Sequence, residues 1–230
     1  MSYSAEVLAD SPVDYFRCGE ASADLFSQTS ARFADNASGN AVYQQGSALP
    51  SDPTDFSFRC TSAVYFSVTY DAAYDVGDVA TLECWLKRGD TATSEIIILS
   101  RDQGMYLGLN NNLLFLAKTN VVGIVSSTIS ITDTTTWHHC VHTKNGSTVN
   151  QYIDGVDVTG TVTNATWQNG TTPDFRIASD GGSNQFIGYL DEIAVYNTAL
   201  SATRVKAHYL AALTARQVPS EFPPRHFGPF

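Results

Sequence analysis

Charged residues are scarce in this 230-residue sequence: Asp, Glu, Lys and Arg together make up 16% of it, whereas soluble proteins average about 25%. Only 13 residues are basic against 23 acidic ones, so the formal net charge is −10. Nucleic acids and anionic membrane surfaces are bound by clusters of Lys and Arg, and the four lysines here are far apart in the sequence. The composition therefore argues against both kinds of partner.

Long hydrophobic runs are also missing. The apolar stretches, of which residues 95–99 are typical, have the length of one strand and fall far short of the ~20 residues that cross a bilayer. Residues 1–6 lack the basic head and apolar core of a signal peptide. We therefore expect a protein that is made in the cytoplasm, carries no export signal and has no membrane-spanning segment.

Cysteine is too rare for a disulfide-stabilised scaffold, and no Cys-x-x-Cys motif is present in the sequence. Cys18, Cys60, Cys84 and Cys140 each lie in an apolar or alternating segment, which favours buried free thiols that act as small hydrophobic side chains. Cys84 and Cys140 are the pair most compatible with adjacent core strands. A reducing cytoplasm argues against an obligatory bridge between them.

The sequence is instead rich in small polar and aromatic residues, with 24 Thr, 22 Ser, 16 Gly, 11 Tyr and 12 Phe. This mixture suits strands and tight turns better than helices. Strand-like runs recur about every 8–12 residues, with Gly, Asn or Asp between them, which is typical of an all-β sandwich or barrel. A short helix is predicted at residues 3–8, and strands at 15–17, 41–44, 56–59, 63–68, 80–87, 95–100, 105–109, 113–117, 121–125 and 128–131.

The clearest local pattern lies within residues 137–163. Asn145-Gly146 and Asp154-Gly155 separate three short runs of strand character. Both dipeptides tolerate the positive φ angles that a type I′ turn requires at its two central positions. The pattern therefore predicts a three-stranded antiparallel meander.

The last part of the sequence changes character after a final helix. A strand is predicted over residues 186–196, followed by a helix over 202–212 with Ser201 as its N-cap. Residues 213–230 contain four of the eight prolines and three phenylalanines, and such Pro-rich sequence forms neither helix nor central strand. We therefore predict one domain over residues 1–212 and an extended tail over 213–230.

Several segments, at residues 3–20, 82–87, 137–141 with 152–155, and 186–201, carry a family resemblance. In this order they resemble the entry strand, the first long core strand, the central hairpin, and the closing strand with its helix in the laminin-G-like, concanavalin-A-like jelly-roll domains. The resemblance implies an all-β, two-sheet antiparallel jelly-roll sandwich of the lectin/glucanase type, with a short carboxy-terminal helix and the tail outside it.

Domains of this family are common in phage structural proteins and in secreted carbohydrate-associated proteins, and the fold alone does not decide among its functions. With the missing export signal and the Pro/Phe tail, the resemblance implies a non-enzymatic virion protein, a capsid-decorating or minor tail subunit. Its expected partners are other virion proteins, further copies of itself and host-surface glycans. The alternatives are a carbohydrate-binding or adhesion module of a cell-surface or secreted protein and, last, a glycan hydrolase or lyase.

Catalysis is disfavoured because glycan hydrolysis needs two carboxylates that flank one bond. The glucanase-like Glu-x-Asp-x-x-Glu pattern is absent from the sequence, and Asp191 and Glu192, as neighbours on a strand, are expected to point to opposite faces. His138, Cys140 and His142 share one strand face, but a zinc site there would need a fourth ligand, and the resemblance explains this strand as structural. We expect no enzymatic activity.

Calcium is the metal that the resemblance implies, because the family often holds one near the edge of the sandwich. Calcium prefers carboxylate, amide and carbonyl oxygens on irregular loops. The candidate ligands are Glu20, Asp35 and Asn36, together with Asp191 from the closing strand. The alternative is that these residues cap turns in water.

Sugar binding would use an exposed aromatic platform beside polar groups. Trp167 is the one tryptophan in a turn-rich stretch, whereas Trp85 and Trp137 lie on predicted core strands. Trp167 is therefore the candidate carbohydrate contact. The alternative is a flap that covers the core.

The tail is the candidate docking segment. Phe222, Phe227 and Phe230 cannot be buried by regular structure within so Pro-rich a segment. Extended Pro-rich segments lose little entropy on docking, and aromatic side chains anchor well in apolar pockets. We expect these three residues to dock on a neighbouring copy or on another virion protein, the alternative being a frayed terminus.

Overall fold

Two antiparallel sheets packed face to face form the protein, with one short helix before them in the chain and one after them. The predicted all-β jelly-roll sandwich is therefore confirmed. The computed structural model describes residues 1–37, 41–61, 64–69, 71–74, 78–90, 96–101, 105–118, 123–163, 175–179 and 185–214.

Strands account for most of the regular structure in these residues. The helices are α1 (Tyr3–Ala9) and α2 (Ala202–Leu213), and a single 3-10 turn covers Ala72–Tyr74. The strands are β1 (Asp14–Phe16), β2 (Leu25–Phe26), β3 (Phe33–Asn36), β4 (Val42–Gly46), β5 (Phe56–Cys60), β6 (Phe66–Val68), β7 (Val79–Arg88), β8 (Ile96–Arg101), β9 (Met105–Asn110), β10 (Leu113–Lys118), β11 (Val125–Ser130), β12 (His138–Asn145), β13 (Thr148–Ile153), β14 (Val156–Asp157), β15 (Phe175–Ile177) and β16 (Gly188–Tyr196).

The first sheet is built around β16. Its strand order is β14-β13-β12-β7-β16-β5-β4, and the second sheet has the order β11-β10-β9-β8-β15-β6-β3-β2. β16 pairs with β7 on one side, while β5 (opposite residues 188–190) and β1 (opposite residues 193–195) share its other side. Residues 191 and 192 therefore lie at the gap between β5 and β1.

Alternation along the strands produces two apolar clusters. On β7, Leu82 and Leu86 point into the core between the sheets, whereas Trp85 points to the outer face of the first sheet. There α1 and α2 cover the sheet and bury a second cluster. All four cysteines are buried free thiols, and Cys84 and Cys140 lie opposite each other on β7 and β12, the adjacent core strands expected from the sequence.

The predicted meander is confirmed, with one difference in its first turn. Asp154 and Gly155 both have positive φ, 54° and 70°, as a type I′ turn requires. Asn145, however, remains in β12, so the first loop is Gly146-Ser147, in which only Gly146 has positive φ, 58°. Glycine at the first central position is the mark of a type II′ turn.

One pair of predicted strands is wrong in its division. Residues 125–130 form the single strand β11, where the sequence pattern indicated separate strands at 121–125 and 128–131. The predicted interruption between the two strands was at Ser126 and Ser127. In the structure, the Ser127 hydroxyl oxygen accepts a hydrogen bond from the Leu114 backbone N–H at 2.9 Å. Serine therefore supports the pairing here and does not interrupt it.

The carboxy-terminal helix begins where the sequence predicts. The Ser201 side chain accepts a hydrogen bond from the Arg204 backbone N–H at 3.3 Å, which satisfies one of the free donors at a helix start. In the part of the chain that the structure describes, neither helix has the length and apolar character needed to cross a bilayer.

Candidate functional site

A row of two aromatic and two cationic side chains crosses the outer face of the first sheet. Tyr189 on β16 pairs with Arg59 of β5 on one side and with Lys87 of β7 on the other, and the register of β12 places Trp137 beside Lys87. Neighbours of Arg59, Lys87 and Tyr189 along their strands point into the core, so these three side chains point outward. Trp137, just before β12, packs against the second apolar cluster on the same outer face. We call these four residues the aromatic–cationic row.

The members of the row are in contact with one another. The Lys87 Nζ lies 4.2 Å from the Tyr189 ring centroid and 5.2 Å from that of Trp137. The Arg59 Cζ lies 5.6 Å from the Tyr189 centroid, and the two aromatic centroids are 6.1 Å apart at 66°. Each such cation–π contact contributes about 0.5–1 kcal/mol at an exposed site. All four residues are half-buried, so parts of the rings and cations remain open to a ligand.

In the part of the chain that the structure describes, the two cations of the row have no anionic partner. Among the described residues, no carboxylate forms an ion pair with Lys87 or Arg59, and the Arg59 Nε is buried without a hydrogen-bond acceptor. A buried donor without an acceptor costs free energy.

Three carboxylates lie near the row, at the gap between β5 and β1. One oxygen each of Asp55, Asp191 and Glu192 lies within 4.8 Å of the others. Asp191 and Glu192 are fully buried, and Asp55, which precedes β5, is half-buried. We call these three residues the acidic cluster.

The expectation that Asp191 and Glu192 point to opposite faces is wrong. β16 has a bulge against β7 between Asp191 and Ala194, and Glu192 has a φ of 50°. A bulge breaks the two-residue alternation of a strand and re-aims its side chains. Both carboxylates therefore reach the same cluster.

Arg17 supplies the positive charge beside the acidic cluster. Its guanidinium lies 2.6 Å from the Asp55 carboxylate and 3.3 Å from that of Glu192. Two backbone N–H groups donate to Asp191 at 2.9 Å each. Burial, and after it the repulsion from neighbouring carboxylates, raises the pKa of Asp191 and of Glu192 well above the ordinary values. Ionisation of all three carboxylates beside one cation would leave negative charge, which a bound divalent cation would neutralise.

Of the calcium ligands predicted from the sequence, the structure places only Asp191 in the acidic cluster. Glu20 accepts a hydrogen bond from a backbone N–H at 2.9 Å through Oε1, and its Oε2 is buried without a hydrogen-bond partner. Asp35 and Asn36 lie on β3 in the second sheet, where Asp35 is exposed. The sequence pattern did not indicate the other two members of the cluster as ligands.

The histidine-rich strand does not assemble a metal site. His138, Cys140 and His142 share a face, as predicted, but His138 binds two aspartates at 2.8 and 2.9 Å and Cys140 lies in the core. Burial lowers the pKa of His142 to about 3, and its Nε2 accepts a hydrogen bond from Gln151 at 3.1 Å. Within the described residues, the acidic cluster is the one group of three or more His, Cys, Asp or Glu ligand atoms that converge.

Glu83 is the centre of a buried network under the two helices. Its carboxylate accepts hydrogen bonds from the hydroxyls of Tyr3 (2.9 Å) and Tyr196 (2.8 Å) and contacts His139 Nε2 (2.7 Å) and His208 Nδ1 (3.0 Å). Burial alone would raise the pKa of Glu83, but His208 and His139 outweigh it and hold the pKa well below its ordinary value. The network is fully buried at Glu83, so it joins α1 and α2 to the sheet.

The aromatic residues that the sequence indicated as binding residues lie outside the described residues. This applies to the sugar platform Trp167 and to the docking residues Phe222, Phe227 and Phe230, which stay predictions. Sequence reasoning missed the aromatic–cationic row, and it assigned Trp137 to core packing although the residue is half-buried on the outer face. The alternation of strands β7, β12 and β16 was the signal that could have placed its members on that face.

Comparison with known families identifies the family to which the fold belongs. Residues 61–206 match the family model described as the concanavalin A-like lectin/glucanases superfamily. The chain belongs to this superfamily. The match contains Lys87, Trp137 and Tyr189 of the row and Asp191 and Glu192 of the acidic cluster. No curated protein matches this superfamily member in sequence.

Solved structures share the superfamily fold at low sequence identity. Domain 4 of AbnA, a GH43 extracellular arabinanase from Geobacillus stearothermophilus in complex with arabinotriose, has a TM-score of 0.64 at 15% identity and covers 86% of this chain and 98% of its own. Trypanosoma rangeli sialidase in complex with sialic acid has a TM-score of 0.61 at 14% identity, and the match covers 86% of this chain and 32% of the sialidase chain. The binding domain of Paraclostridial Mosquitocidal Protein 1 has a TM-score of 0.60 at 16% identity, and the match covers 88% of this chain and 52% of that chain. This chain therefore spans about a third of the sialidase chain, and these likenesses show the fold alone.

Proposed function

We propose that this superfamily member is a non-catalytic carbohydrate-binding module that uses the aromatic–cationic row as its sugar platform. The observation that carries the proposal is the Trp137–Tyr189 pair, two half-buried rings beside polar side chains on the outer face of the sheet. One face of a pyranose presents C–H groups that pack on the electron-rich face of an aromatic ring. Polar groups at the edge of such a platform fix the orientation of the sugar.

The burial of the carboxylates supports a non-catalytic role. Glu83, Asp191 and Glu192 are fully buried, and a catalytic carboxylate has to reach the glycosidic bond or the attacking water. Glu83 already accepts hydrogen bonds from two tyrosine hydroxyls and contacts two histidines. These carboxylates are therefore poorly placed for attack on a bound glycan.

A glycan array followed by titration calorimetry tests the sugar platform. Trp137→Ala and Tyr189→Ala are each expected to weaken binding of the glycans that the wild type retains by at least about tenfold, as the loss of one stacking contact implies. Phe26→Ala is the matched control, because Phe26 is an exposed aromatic residue on the second sheet. A wild type that retains no glycan, or glycan binding that both row substitutions leave intact, would contradict the proposal.

We propose further that the acidic cluster holds a structural calcium ion. Asp55, Asp191 and Glu192 offer the carboxylate oxygens that Ca²⁺ prefers, and Arg17 alone does not balance their charge. A calcium ion would neutralise the remaining charge. It would also connect the start of β5 with β16 at the gap.

The composition of residues 213–230 supports a second proposal, that the module is a virion structural subunit, either capsid-decorating or part of the tail. Four prolines and three phenylalanines in this segment are suited to docking in an extended form on another virion protein or on a further copy of the chain. In that arrangement the segment anchors the module to the particle. The aromatic–cationic row then remains free to contact glycans of the host surface.

A further inference from the structure

We propose that the aromatic–cationic row selects acidic sugars, that is, pyranose units that carry a carboxylate; this inference rests on the proposed carbohydrate-binding function. Three neighbouring strands and the residue that precedes β12 contribute to the row, and strands lie about 4.8 Å apart, so the row is roughly 14 Å long. That length accommodates a short oligosaccharide. Along the row, cationic side chains alternate with aromatic rings.

The positions of the cations point to a carboxylate. Lys87 Nζ lies between the two rings, 4.2 Å from one centroid and 5.2 Å from the other, so a sugar stacked on either ring would bring its substituents to the ammonium group. Arg59 stands on the far side of Tyr189 with a guanidinium whose Nε has no acceptor. A guanidinium binds a carboxylate through two parallel hydrogen bonds. A carboxylate on the open part of this guanidinium would pair its charge.

The charge of the whole chain favours separated carboxylates over a densely charged polymer. The net charge of −10 repels nucleic acid, which requires many cations along its backbone. In an acidic glycan, by contrast, the negative charges are spaced at least one sugar ring apart. Two cations separated by an aromatic ring match that spacing.

Calorimetric titration with matched acidic and neutral ligands tests the inference. The probes are sialyllactose against lactose and tetragalacturonate against a neutral galactose tetrasaccharide, which separates sialic acid from uronic acid as the source of the carboxylate. We expect at least one acidic ligand to bind about tenfold or more tightly than its neutral counterpart, since hydrogen bonds to charged groups are the strong ones. The preference should decrease as salt is raised.

Substitutions in the row separate charge from stacking. Lys87→Met and Arg59→Met keep an apolar chain of similar length. Each is expected to weaken acidic binding more than neutral binding, so that the ratio of the two affinities falls toward one. Lys206→Gln, at an exposed position on α2, is the control that should have no effect, and unchanged melting temperatures show that each variant is folded.

The outcomes distinguish this inference from the proposed function. If neutral and acidic ligands bind equally, or if acidic binding survives both methionine substitutions, acid selection is wrong while the platform stands. If neither acidic nor neutral glycan binds, the platform itself is wrong. If a single-stranded oligonucleotide binds more tightly than every sugar and loses binding in the methionine variants, the row is a nucleic-acid site and the inference is overturned.

Discussion

At the scale of single residues, Asp191 and Glu192 reduce the stability of the fold unless a cation neutralises them, because buried carboxylates resist ionisation. Their raised pKa values mean that the folded protein holds protons at a pH where the unfolded chain, with an Asp pKa near 3.9, has released them. Folding is therefore favoured on the acid side, and this advantage is lost as pH rises from about 4 through the raised folded pKa. Calcium would compete with protons for the same oxygens.

Asp191→Asn tests both the pH dependence and the calcium site. In EDTA, the free energy of unfolding of the wild type should increase when pH is lowered from 7 to 5, and the increase should be smaller in the variant. At pH 7, calcium at a hundredfold excess over its Kd should raise the melting temperature of the wild type by roughly 5–10 °C and leave that of the variant unchanged.

The exposed Asp35 provides the matched control, since Asp35→Asn removes a carboxylate from the second sheet. This control should respond to calcium and pH like the wild type. A wild-type melting temperature that does not respond to calcium would show that the acidic cluster binds no calcium. Equal pH dependence in the wild type and Asp191→Asn would show that Asp191 is ionised in the folded state.

Residue patterns predicted part of this site. The family resemblance implied a calcium ion near the edge of the sandwich, and Asp191 of the closing strand was one of its candidate ligands. The arrival of Glu192 at the same place depends on the bulge against β7 and on a positive φ. Neither has a local signal in the sequence, because Glu192 is not one of the residue types that favour positive φ.

At the scale of elements, local signals predicted the helices well and their docking not at all. Ser201 caps α2 as its sequence position indicated. His208 of α2 contacts Glu83 of the sheet, and Arg204 of α2 forms ion pairs with Glu6 of α1 and with Asp10, the C-cap of α1. These partners are distant in the sequence, so no pattern within one segment predicts them.

Glu83→Gln is expected to loosen both helices. The glutamine amide would place a hydrogen-bond donor beside the hydroxyls that donate to the Glu83 carboxylate. Removing one charged partner from a buried network costs about 3–5 kcal/mol. Urea unfolding should show this loss, and hydrogen exchange should show faster exchange in α1 and α2 than in β10. A variant that loses less than about 1 kcal/mol, or that exchanges equally in all elements, would show that apolar packing alone holds the helices.

At the scale of the whole molecule, the strand type and the positions of most strands followed from composition and turn spacing. The short strands β2, β3 and β15 and the order of the strands in the sheets did not. β16 is late in the chain yet lies between β7 and β5. This order brings together Arg59, Lys87, Trp137 and Tyr189, which are distant in sequence. The resemblance predicted the jelly-roll class, but the aromatic–cationic row follows only from the register of particular strands.

The tail prediction also belongs to the whole molecule, because it separates folding from assembly. The described fold ends at α2 and its C-cap, where Thr214 donates to the Leu210 carbonyl oxygen. Deleting residues 215–230 keeps that cap, so the melting temperature should stay within about 2 °C of the wild type, the shift expected for less than about 1 kcal/mol. If the module is the virion subunit that we propose, its incorporation into virions should be abolished. Changing Phe222, Phe227 and Phe230 together to serine should have the same effect, since these substitutions keep the prolines and the length but remove the aromatic anchors. The control variant, in which the exposed Phe26 and Phe33 are changed to serine, should assemble normally. Full occupancy of particles by the truncated protein would show that the module attaches through the sandwich instead.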